Sequence, residues 1–431
     1  MTQSRIHKEI TLNSNPFIDI KDFDPLIEEI KDKKIVFLGE STHGTKEFYD
    51  WRTKISADLI REYGFNFIAV EGDWPPCQEI NRLIQNKSQL GYLDTLKKFT
   101  RWPTWMWANA EMMFLIEWLR SHNSQSAKLV GFHGLDVYSI FDSIEEVIRQ
   151  LNDVYPKFSK KIKKLYDCFG PYWQNERNYV CSIIQSSKTC ESEATEALDQ
   201  IFKFSRNNQN LFEAIQNAKV IKNAERYYRS MVHVEDNAWN IREWHMQETL
   251  EMLLNHYGPN SKGIVWGHNS HIGDYKGTDF RLSHQISLGG ISRERLGVEN
   301  VAIVGFTTYT GFVLASQSWK GEVAKLHISK ARSFSLDHAL HESVQNIGHG
   351  NYYLRLKSLN SESSLNDFRG HRAIGVVYQP EHENKTQYIP TNAVERYDYL
   401  VFFDQSHPLT PLGFKFDRTK MPETYPFGSF I

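Results

Sequence analysis

The segment KIVFLGESTHGTKEFYDWR, residues 34–52, combines a strand pattern, a polar turn and the start of a helix. Lys34–Leu38 is a continuous apolar run, which is typical of a strand covered on both faces. From Glu47 to Tyr63 apolar residues recur every three or four positions, and this spacing predicts an amphipathic helix. A strand followed by a helix is the first half of a βαβ unit, so the segment predicts a parallel sheet flanked by helices.

Further apolar runs repeat the strand pattern along the chain. They are Asn66–Val70, Lys128–Phe132, Gly263–Trp266, Val301–Phe306, Ala373–Tyr378 and Leu400–Phe403. Helical periodicity at Trp107–Leu119 and Ile144–Leu151 lies among the early runs. The predicted fold class is therefore α/β, with a mostly parallel sheet flanked by helices.

Between Phe132 and Gly263 the strand pattern disappears, and the chain becomes polar and helix-periodic. A loop of that length without structure would be unusual in a folded domain. We therefore expect a large all-helical subdomain at residues 141–257. It would be inserted between the two parts of the α/β core, at residues 1–140 and 258–431.

The composition excludes several classes of partner. The 431 residues include 50 Lys or Arg and 52 Asp or Glu, a formal net charge of −2. This balance gives no global basic field, so we expect no nucleic-acid partner. No apolar run is long enough to span a membrane, and the N-terminal segment MTQSRIHKEI has no apolar signal-peptide core. We expect a cytoplasmic protein without a membrane partner; its oligomeric state leaves no signature in the sequence.

The four cysteines, at positions 77, 168, 181 and 190, form neither a CxxC pair nor a zinc-ribbon spacing. A chain of this length can build a core without cross-links, so we expect no disulfide framework. For Cys77 we expect a small buried side chain rather than a reactive thiol.

Polar side chains follow four of the predicted strands, at the edge where parallel sheets bind ligands. The four turns are Gly39–Gly44 (GESTHG), Glu71–Pro75 (EGDWP), His133–Asp136 (HGLD) and Gly267–His271 (GHNSH). Each turn alone is ordinary loop chemistry. Together they predict one shared polar active site at the carboxyl ends of the strands.

Several common catalytic motifs are absent from the sequence. GESTHG lacks the G-x-S-x-G spacing of a nucleophile elbow. The chain also has no phosphate-binding G-x-x-x-x-G-K-[ST] loop, no G-x-G-x-x-G fingerprint and no HExxH motif. The remaining His and Glu residues suit either a histidine general base that activates water or a mononuclear metal site.

Arg52 falls on the apolar stripe of the first predicted helix, where an unpaired charge is costly. It either forms an ion pair with Glu40 or Glu71 or polarises a substrate carbonyl, and the two roles are compatible.

Arg242 falls in a second apolar stretch, on a predicted helix at residues 231–254. A salt bridge to Glu243 or Glu248 competes there with a role at the site. His233 and His245 of the same helix are expected to be packing residues.

The segment Arg101–Trp107, RWPTWMW, contains three tryptophans in six residues. Trp105 and Trp107 form either an aromatic wall for an apolar or sugar-bearing substrate or part of a cluster that fills the core where a helix starts.

Taken together, these motifs resemble the erythromycin esterase family. The segments LGESTHGTKEFYDWR, AVEGDWP, RWPTWMW and VWGHNSHIGD follow in the same order as in that family, within a resemblance that runs from Ile35 to Tyr399. The resemblance implies an α/β core with a helical insertion, and hydrolysis of a macrolide lactone ester by water without a covalent intermediate. It also implies that His43 is the general base and that the site is completed by Glu40, Glu71, Arg52 and either His268 or His271.

We therefore predict a carboxylic ester hydrolase without a cofactor, acting on a small-molecule ester or lactone. In the expected mechanism Glu40 or Glu71 orients His43, which deprotonates a water, and Arg52 with a GHNSH histidine steadies the oxyanion. The predicted catalytic residues are His43, Glu40, Glu71, Arg52, His268 and His271. The predicted substrate-binding residues are Trp74, Asp73, Trp105, Trp107, His133, Asp136 and Arg242.

Two alternatives stay open. The first is a metal-dependent hydrolase in which Glu40, His43, Glu71 and His268 hold a divalent ion. The second is a non-catalytic protein that binds a small molecule or a polysaccharide, because some family members carry a label that links them to succinoglycan biosynthesis. The resemblance also leaves open whether the substrate is a macrolide, as in antibiotic resistance, or an acylated sugar.

Overall fold

The computed structural model describes residues 2–208, 211–232 and 237–422 of the chain. The described strands are β1 (Ser14–Pro16), β2 (Ile35–Leu38), β3 (Phe67–Asp73), β4 (Gly131–Asp136), β5 (Gly263–Trp266), β6 (Val301–Ser316), β7 (Val323–Ile328), β8 (Asn351–Arg355), β9 (Arg369–Arg372), β10 (Tyr388–Thr391) and β11 (Tyr399–Ser406). The described helices are α1 (Thr2–Asn13), α2 (Asp24–Ile30), α3 (Lys46–Tyr63), α4 (Trp74–Ile84), α5 (Tyr92–Leu96), α6 (Ala110–Gln125), α7 (Ile140–Val154), α8 (Pro156–Tyr166), α9 (Glu176–Ser186), α10 (Glu191–Ser205), α11 (Phe212–Ser230), α12 (Ala238–Tyr257), α13 (Asn269–Ile272), α14 (Leu288–Leu296), α15 (Leu336–Ile347), α16 (Glu383–Thr386) and α17 (Ala393–Arg396).

Strand β2 lies near the middle of the main sheet, whose order is β1-β8-β11-β6-β2-β5-β3-β4, with β7 paired to β6. The pairs from β11 to β4 are all parallel, whereas β1–β8, β8–β11 and β6–β7 are antiparallel. Strands β9 and β10 form a separate antiparallel pair. The predicted α/β fold with a mostly parallel sheet is confirmed.

Helices cover both faces of this sheet, and β2 shows how its residues divide between them. Val36 and Leu38 pack into a core with α3 and α6, whereas Ile35 and Phe37 pack into a second core with α12, α14 and α15. Because both faces are buried, all four residues are apolar and no alternation appears in the sequence.

Between β4 and β5 the described chain is helical, from α7 to α12, as expected of an inserted subdomain. These helices share an apolar cluster of their own, which includes Val147, Ile162, Ala218 and Tyr228. The boundaries of the subdomain remain a prediction. In the described part of the chain, no helix has the length and apolarity needed to cross a membrane.

One strand prediction is wrong, and several strands were not predicted. Residues 373–378 form no strand: Ile374 and Val377 make single bridges to Thr42 and Ser316. The apolar run instead reflects burial, since Ile374 and Tyr378 pack against β6 and β7. Conversely, the described strands β1, β7, β8, β9 and β10 were not predicted. β7, for example, lies at an antiparallel edge with mostly exposed side chains, so its sequence shows no continuous apolar run.

The strands β3 and β4 extend beyond their predicted ends at Val70 and Phe132. β3 ends at Asp73 and so includes Glu71, while β4 begins at Gly131 and includes His133 and Asp136. Asp73 and Asp136 lie opposite each other in the ladder, after a register shift. Charged residues can be buried at these strand ends because each carboxylate has an arginine partner. A hydrophobicity pattern does not reveal such partners, so it ends the strands too early.

Two helices start later than predicted. α6 begins at Ala110 because the side chain of Asn109 caps it, accepting a hydrogen bond from the backbone N–H of Met112 at 2.7 Å. α12 begins at Ala238, capped by Asn237. His233 lies outside the described residues.

The expectation about cysteines holds only in part. Cys77 is buried, as predicted. Cys168 and Cys190, however, form a disulfide that ties the segment after α8 to the start of α10. No disulfide framework was expected, and this single cross-link was not foreseen because its residues are too far apart in sequence for a short motif to show their proximity.

The GESTHG turn is held against β6 through Gly44. Its carbonyl accepts hydrogen bonds from the N–H groups of Leu314 and Leu409, each at 3.0 Å. A Cβ atom at Gly44 would lie only 1.8 Å from the carbonyl oxygen of Leu314, a backbone atom that cannot rotate away. Glycine is therefore required at this position by close approach rather than by backbone angles.

We predict that Gly44→Ala lowers the free energy of unfolding by about 3 kcal/mol, because the turn must separate from β6. Gly91→Ala is the matched control, since a Cβ there meets no atom within 4 Å, and it should change stability by less than about 0.5 kcal/mol. Urea unfolding of both variants measures the difference. Equal stabilities would show that the turn does not need this close approach.

Candidate active site

The first polar network lies directly after β2 and joins Glu40, His43 and Arg52. Nδ1 of His43 donates to Oε1 of Glu40 at 2.8 Å, and Nη2 of Arg52 donates to Oε2 of the same carboxylate at 2.6 Å. All three side chains are buried, with His43 only 3% exposed. Each Glu40 oxygen thus has one partner, and Nε2 of His43 faces away from the pair.

Arg52 is fixed by more than its ion pair. Its guanidinium lies 4.5 Å from the ring centre of Tyr49 and 4.7 Å from that of Trp266, and its Nε donates to the carbonyl of Phe48 at 3.3 Å. Its Nη1 has no hydrogen-bond partner among the described residues. Of the two partners predicted for Arg52, the structure provides Glu40.

The second network surrounds Arg242 of α12. The guanidinium donates to both oxygens of Asp136, through Nε at 2.9 Å and Nη2 at 2.7 Å, and Nη2 also donates to Oε1 of Glu71 at 2.7 Å. The salt bridge predicted with Glu243 or Glu248 is therefore wrong. Burial alone would raise the pKa of Glu71, but the charges of His271 and Arg242 outweigh it and hold this pKa well below its ordinary value.

His271 extends the second network through a carboxylate that the sequence analysis did not place at the site. Its Nδ1 donates to Glu243 in a short hydrogen bond, and Trp239 stacks on its ring at 4.6 Å. Its Nε2 lies 2.9 Å from Nη1 of Arg242 and 3.2 Å from Oε1 of Glu71. Burial lowers the pKa of His271, but Glu243 and Glu71 outweigh it and raise the pKa to about 9. Burial in turn raises the pKa of Glu243. Arg242 and Glu243 are adjacent in sequence, which suggested a pair between them. In the structure Arg242 binds Asp136 and Glu71, whereas Glu243 binds His271.

His268 connects the two networks. Its backbone N–H donates to Oε2 of Glu71 at 2.8 Å, while its ring centre lies 5.0 Å from that of His43. Its Nδ1 accepts from the N–H of Ser270 at 3.2 Å, so a neutral His268 carries its proton on Nε2. Burial, followed by the neighbouring His43, holds the pKa of His268 well below its ordinary value. Its Nε2 has no partner in the described structure.

The two networks belong to opposite faces of the sheet. Arg52 comes from α3, whose apolar residues pack with Val36 and Leu38, whereas Arg242 comes from α12, which packs on the other face. They meet above the carboxyl ends of β2, β3 and β5, so the predicted shared site at these strand ends is present as a geometric cluster. The roles of its residues remain a proposal.

His133 and Trp74 lie in the core rather than among these charges. The His133 ring contacts Tyr257 at 2.9 Å and stacks on Trp74 at 5.3 Å, and Trp74 donates to Gln78. Burial lowers the pKa of His133 to about 3. These contacts explain both residues by packing and bring neither to His43 or Glu71. His245 is also buried, and its Nδ1 contacts Asn223, in line with its predicted packing role.

Trp105 and Trp107 are buried in the core that contains α3 and α6. Nε1 of Trp107 faces Gly72, where a Cβ would approach it to 2.8 Å. In the part of the chain that the structure describes, neither indole N–H has a hydrogen-bond partner. The aromatic segment therefore fills the core beside β3, as one of the two predicted alternatives states.

Asp73 forms a third ion pair at the end of β3, with an arginine that was not predicted at the site. Nε of Arg101 donates to Oδ2 of Asp73 at 2.8 Å, and Nη2 donates to Glu176 at 3.0 Å. Burial raises the pKa of Asp73 to about 6, although Arg101 opposes the change. In the sequence Arg101 precedes three tryptophans, and nothing in that segment indicates an ion pair with Asp73.

The metal alternative requires free donor atoms on Glu40, His43, Glu71 and His268. Both oxygens of Glu40 and both oxygens of Glu71 already accept hydrogen bonds. On each carboxylate, one of these bonds comes from an arginine. Among the residues that the structure describes, no group of three or more His, Cys, Asp or Glu is placed to hold a metal ion. These residues as arranged do not fit a metal ion.

The fold and the site together define an α/β protein with a buried Glu–His–Arg cluster at the carboxyl edge of its sheet. The chain belongs to the erythromycin esterase family, whose model matches residues 60–406. That range includes Glu71, Arg242 and both GHNSH histidines and begins downstream of His43. The resemblance seen in the sequence is confirmed.

Two curated proteins illustrate the family. A Bacillus subtilis (strain 168) protein named "Putative hydrolase YbfO" is 24% identical over 321 residues, which cover 70% of this chain and 70% of that protein. "Erythromycin esterase type II" of Escherichia coli is 29% identical over 131 residues, 30% of each chain. Both names are those of hydrolases.

Solved structures show the same fold. A crystal structure of a succinoglycan biosynthesis protein has a TM-score of 0.77 at 21% identity and covers 95% of this chain and 98% of its own. A histidine-to-asparagine mutant of the erythromycin esterase EreC, in its open conformation, has a TM-score of 0.63 at 14% identity and covers 96% and 98%. At these identities the likeness establishes the fold alone.

We predict that the stability contributed by His271 depends on pH. Its pKa rises from 6.5 to about 9 on folding, so the contribution is complete below pH 6.5 and is lost as the pH rises through about 9. His271→Gln should therefore destabilise the protein more at pH 6 than at pH 10, by a difference on the order of 3 kcal/mol.

Urea unfolding at both pH values measures this effect, with His382→Gln, at an exposed histidine, as the control. A His271→Gln penalty that does not change with pH would mean that His271 is uncharged in the folded protein.

Proposed function

We propose that this protein hydrolyses a carboxylic ester or lactone with water, using His43 as the general base and no covalent intermediate. The observation that carries the proposal is the 2.8 Å hydrogen bond from His43 to Glu40, whose second oxygen is held by Arg52. Glu40 fixes the ring and its tautomer, so that Nε2 of His43 is the basic atom. Of the two carboxylates considered for this role, only Glu40 contacts His43 in the structure.

The reaction consumes one water. Nε2 of His43 takes a proton from the water while the water oxygen attacks the ester carbonyl carbon, and the carbonyl oxygen becomes an oxyanion. The carbon–oxygen bond to the leaving group then breaks, and the His43 imidazolium returns the proton to the leaving alkoxide. The products are a carboxylic acid and an alcohol.

Two donors near His43 suit the oxyanion. The Nε2–H of neutral His268 and Nη1 of Arg52 are both buried, and within the described residues neither has an acceptor. A buried donor without a partner costs free energy, which a developing negative charge would repay in the transition state. We assign His268 rather than His271 to this role, because both ring nitrogens of His271 already contact carboxylates.

The Arg242 network has a positioning role in this proposal. Glu71 accepts the backbone N–H of His268, and Arg242 and Asp136 hold Glu71 in place. His271, which Glu243 holds, contacts the same Oε1 of Glu71 as Arg242 does. In this proposal Glu71 orients His268, and not His43 as the sequence suggested.

Family membership supports hydrolysis as the class of reaction, and the names of the relatives support an ester as the bond that is cleaved. We propose a small-molecule ester as the substrate, and a macrolide is one member of the panel to be tested. No cofactor takes part in the proposed steps.

We predict that His43→Ala lowers kcat by about 10²–10⁴-fold, because the variant lacks the general base. Hydrolysis of a panel that includes p-nitrophenyl acetate and erythromycin, with and without EDTA, measures the effect, and His382→Gln is the control for an exposed histidine. EDTA should not change the rate. Loss of activity in EDTA that a divalent ion restores would contradict the proposal and favour the metal alternative.

A second outcome would favour the binding alternative. If no ester is hydrolysed while panel compounds raise the melting temperature of both wild type and His43→Ala, the protein binds these molecules without catalysis.

We also predict that His268→Phe lowers kcat by about 10²-fold or more, with a smaller change in KM, because the lost donor acts on the transition state. His271→Phe removes a buried charge and should instead reduce stability. Steady-state kinetics and urea unfolding of both variants separate the two histidines. If His271→Phe alone lost activity while remaining folded, the assignment would be reversed.

A further inference from the structure

A groove of about 540 Å³ lies between α7 and α8, in the helical segment between β4 and β5. No described residue of the two networks assigned to catalysis lines it. Its α7 wall includes Ile144, Ile148 and Asn152, which share one face of the helix because they are spaced by about one turn. Tyr166 of α8 and Gly170, in the turn after α8, belong to the opposite wall. The volume is within the range of sites that bind small organic molecules.

The groove has an apolar floor and an aromatic residue in its wall. Ile144 is buried and Ile148 is half-buried. Gly170 leaves open space beside them, since an added Cβ would meet no atom within 4 Å. Trp173 packs edge to face against Phe141, with ring centres 5.5 Å apart, yet 44% of its surface is exposed. The indole is therefore held in place and remains accessible to a ligand that stacks on it.

One polar atom of the groove residues has no partner. Tyr166 is only 3% exposed, and in the described part of the chain its hydroxyl makes no hydrogen bond. Burial raises the pKa of this phenol well above its ordinary value, so the group keeps its proton and can donate it. A buried hydroxyl without a partner costs free energy, which a ligand that supplies an acceptor recovers. Phenylalanine would fill the same space without this cost, so packing alone does not explain a tyrosine at this position.

The charged residues of the rim do not select an ion. They are two carboxylates and two cationic groups: Glu145, Asp167, Arg149 and Lys163. All four residues are exposed, so their charges are screened by water as well as balanced. Arg149 is also paired with Glu146 at 2.8 Å. The rim therefore offers no net attraction to a cation or an anion, and the buried donor favours a neutral molecule with an acceptor.

We propose that this groove binds a neutral aromatic molecule that carries a carbonyl group. The ring system stacks on Trp173 and packs on the isoleucines of α7, while the carbonyl oxygen accepts a hydrogen bond from the hydroxyl of Tyr166. This is a second binding site, separate from the proposed catalytic residues, and its existence does not depend on the proposed function.

The binding test compares four molecules that share a naphthalene ring. 2-Acetylnaphthalene has the carbonyl, 2-ethylnaphthalene has a similar size without an acceptor, and 2-naphthoate and 2-(aminomethyl)naphthalene carry a negative and a positive charge. Saturation-transfer NMR titrations of the full chain give a Kd for each. We expect the ketone to bind more tightly than each of the other three by about fivefold, because it alone is neutral and has an acceptor.

Tyr166→Phe removes the hydroxyl and leaves the ring in place. It should weaken the binding of 2-acetylnaphthalene by about fivefold and leave that of 2-ethylnaphthalene unchanged. Because the hydroxyl has no partner in the described structure, the variant should also melt at or above the wild-type temperature. An equal loss of affinity for both molecules would mean that Tyr166 acts through packing, and would overturn its role as the donor.

Trp173→Ala tests the stacking surface and should weaken the binding of both neutral molecules by about tenfold. Trp244→Ala is the matched control. Trp244 is also 44% exposed, but it lies on α12 and does not line the groove, so its loss should change neither affinity.

Three results of these titrations would overturn the proposal: no binding of the ketone, tighter binding of a charged molecule than of the ketone, or equal effects of Trp173→Ala and Trp244→Ala. A groove covered by a second copy of the chain would overturn it as well. Light scattering would then show a dimer that Trp173→Ala dissociates.

His43→Ala separates this inference from the hydrolase proposal, because His43 does not line the groove. The ketone contains no ester bond and should bind equally well to the wild type and to this variant, whether or not the protein hydrolyses esters. If His43→Ala remained folded but no longer bound the ketone, the ligand would lie at the catalytic residues, and the separate site would be overturned.

Discussion

The guanidinium of Arg242 is the group on which the arrangement of the site depends. It contacts both oxygens of Asp136 and one oxygen of Glu71, and so ties α12 to the ends of β3 and β4. Without it, two buried carboxylates would face each other across neighbouring strands, a far greater cost than an ordinary lost contact. Burial of these charges is possible only because the helix and the strands bring their partners together. The position of His268, held by Glu71, follows from the same contacts.

Arg52 plays the corresponding role on the other face of the sheet, but with a different consequence. It holds a single carboxylate, Glu40, and leaves the second oxygen of that group for His43. Its packing between Tyr49 and Trp266 restricts the guanidinium, so Glu40 is positioned by a rigid partner. Arg52 thus positions His43 through Glu40, and Arg242 positions His268 through Glu71. The two arginines come from helices on opposite faces of the sheet, and the two histidine rings lie 5.0 Å apart.

Much of this organisation could be predicted from the sequence, for identifiable reasons. The β2 run and the apolar stripe of α3 are local patterns, so they gave the fold class and placed Arg52 next to the site. The Gly-flanked polar turns gave the location of the cluster. The partners of the charges could not be found in this way. Glu243 is adjacent to Arg242 in sequence but binds His271, and Arg101 reaches Asp73 from another segment. Such pairings depend on tertiary distances, which no spacing rule encodes. The predicted roles of Trp74 and His133 in substrate binding stay predictions, although the structure shows both side chains in packing contacts.

The charges of the site also explain why a buried histidine can serve as a base in the proposed reaction. In the first network the charges of Arg52 and Glu40 cancel in a region that is almost closed to water. In the second network the proton held on His271 offsets one of the carboxylates around Arg242. When His43 takes a proton from water, the oxyanion forms in the same step, and the total charge of the site does not change. Burial disfavours the new imidazolium and oxyanion, but the low dielectric strengthens their mutual attraction and the attraction of the oxyanion to the donors of His268 and Arg52, which offsets that cost.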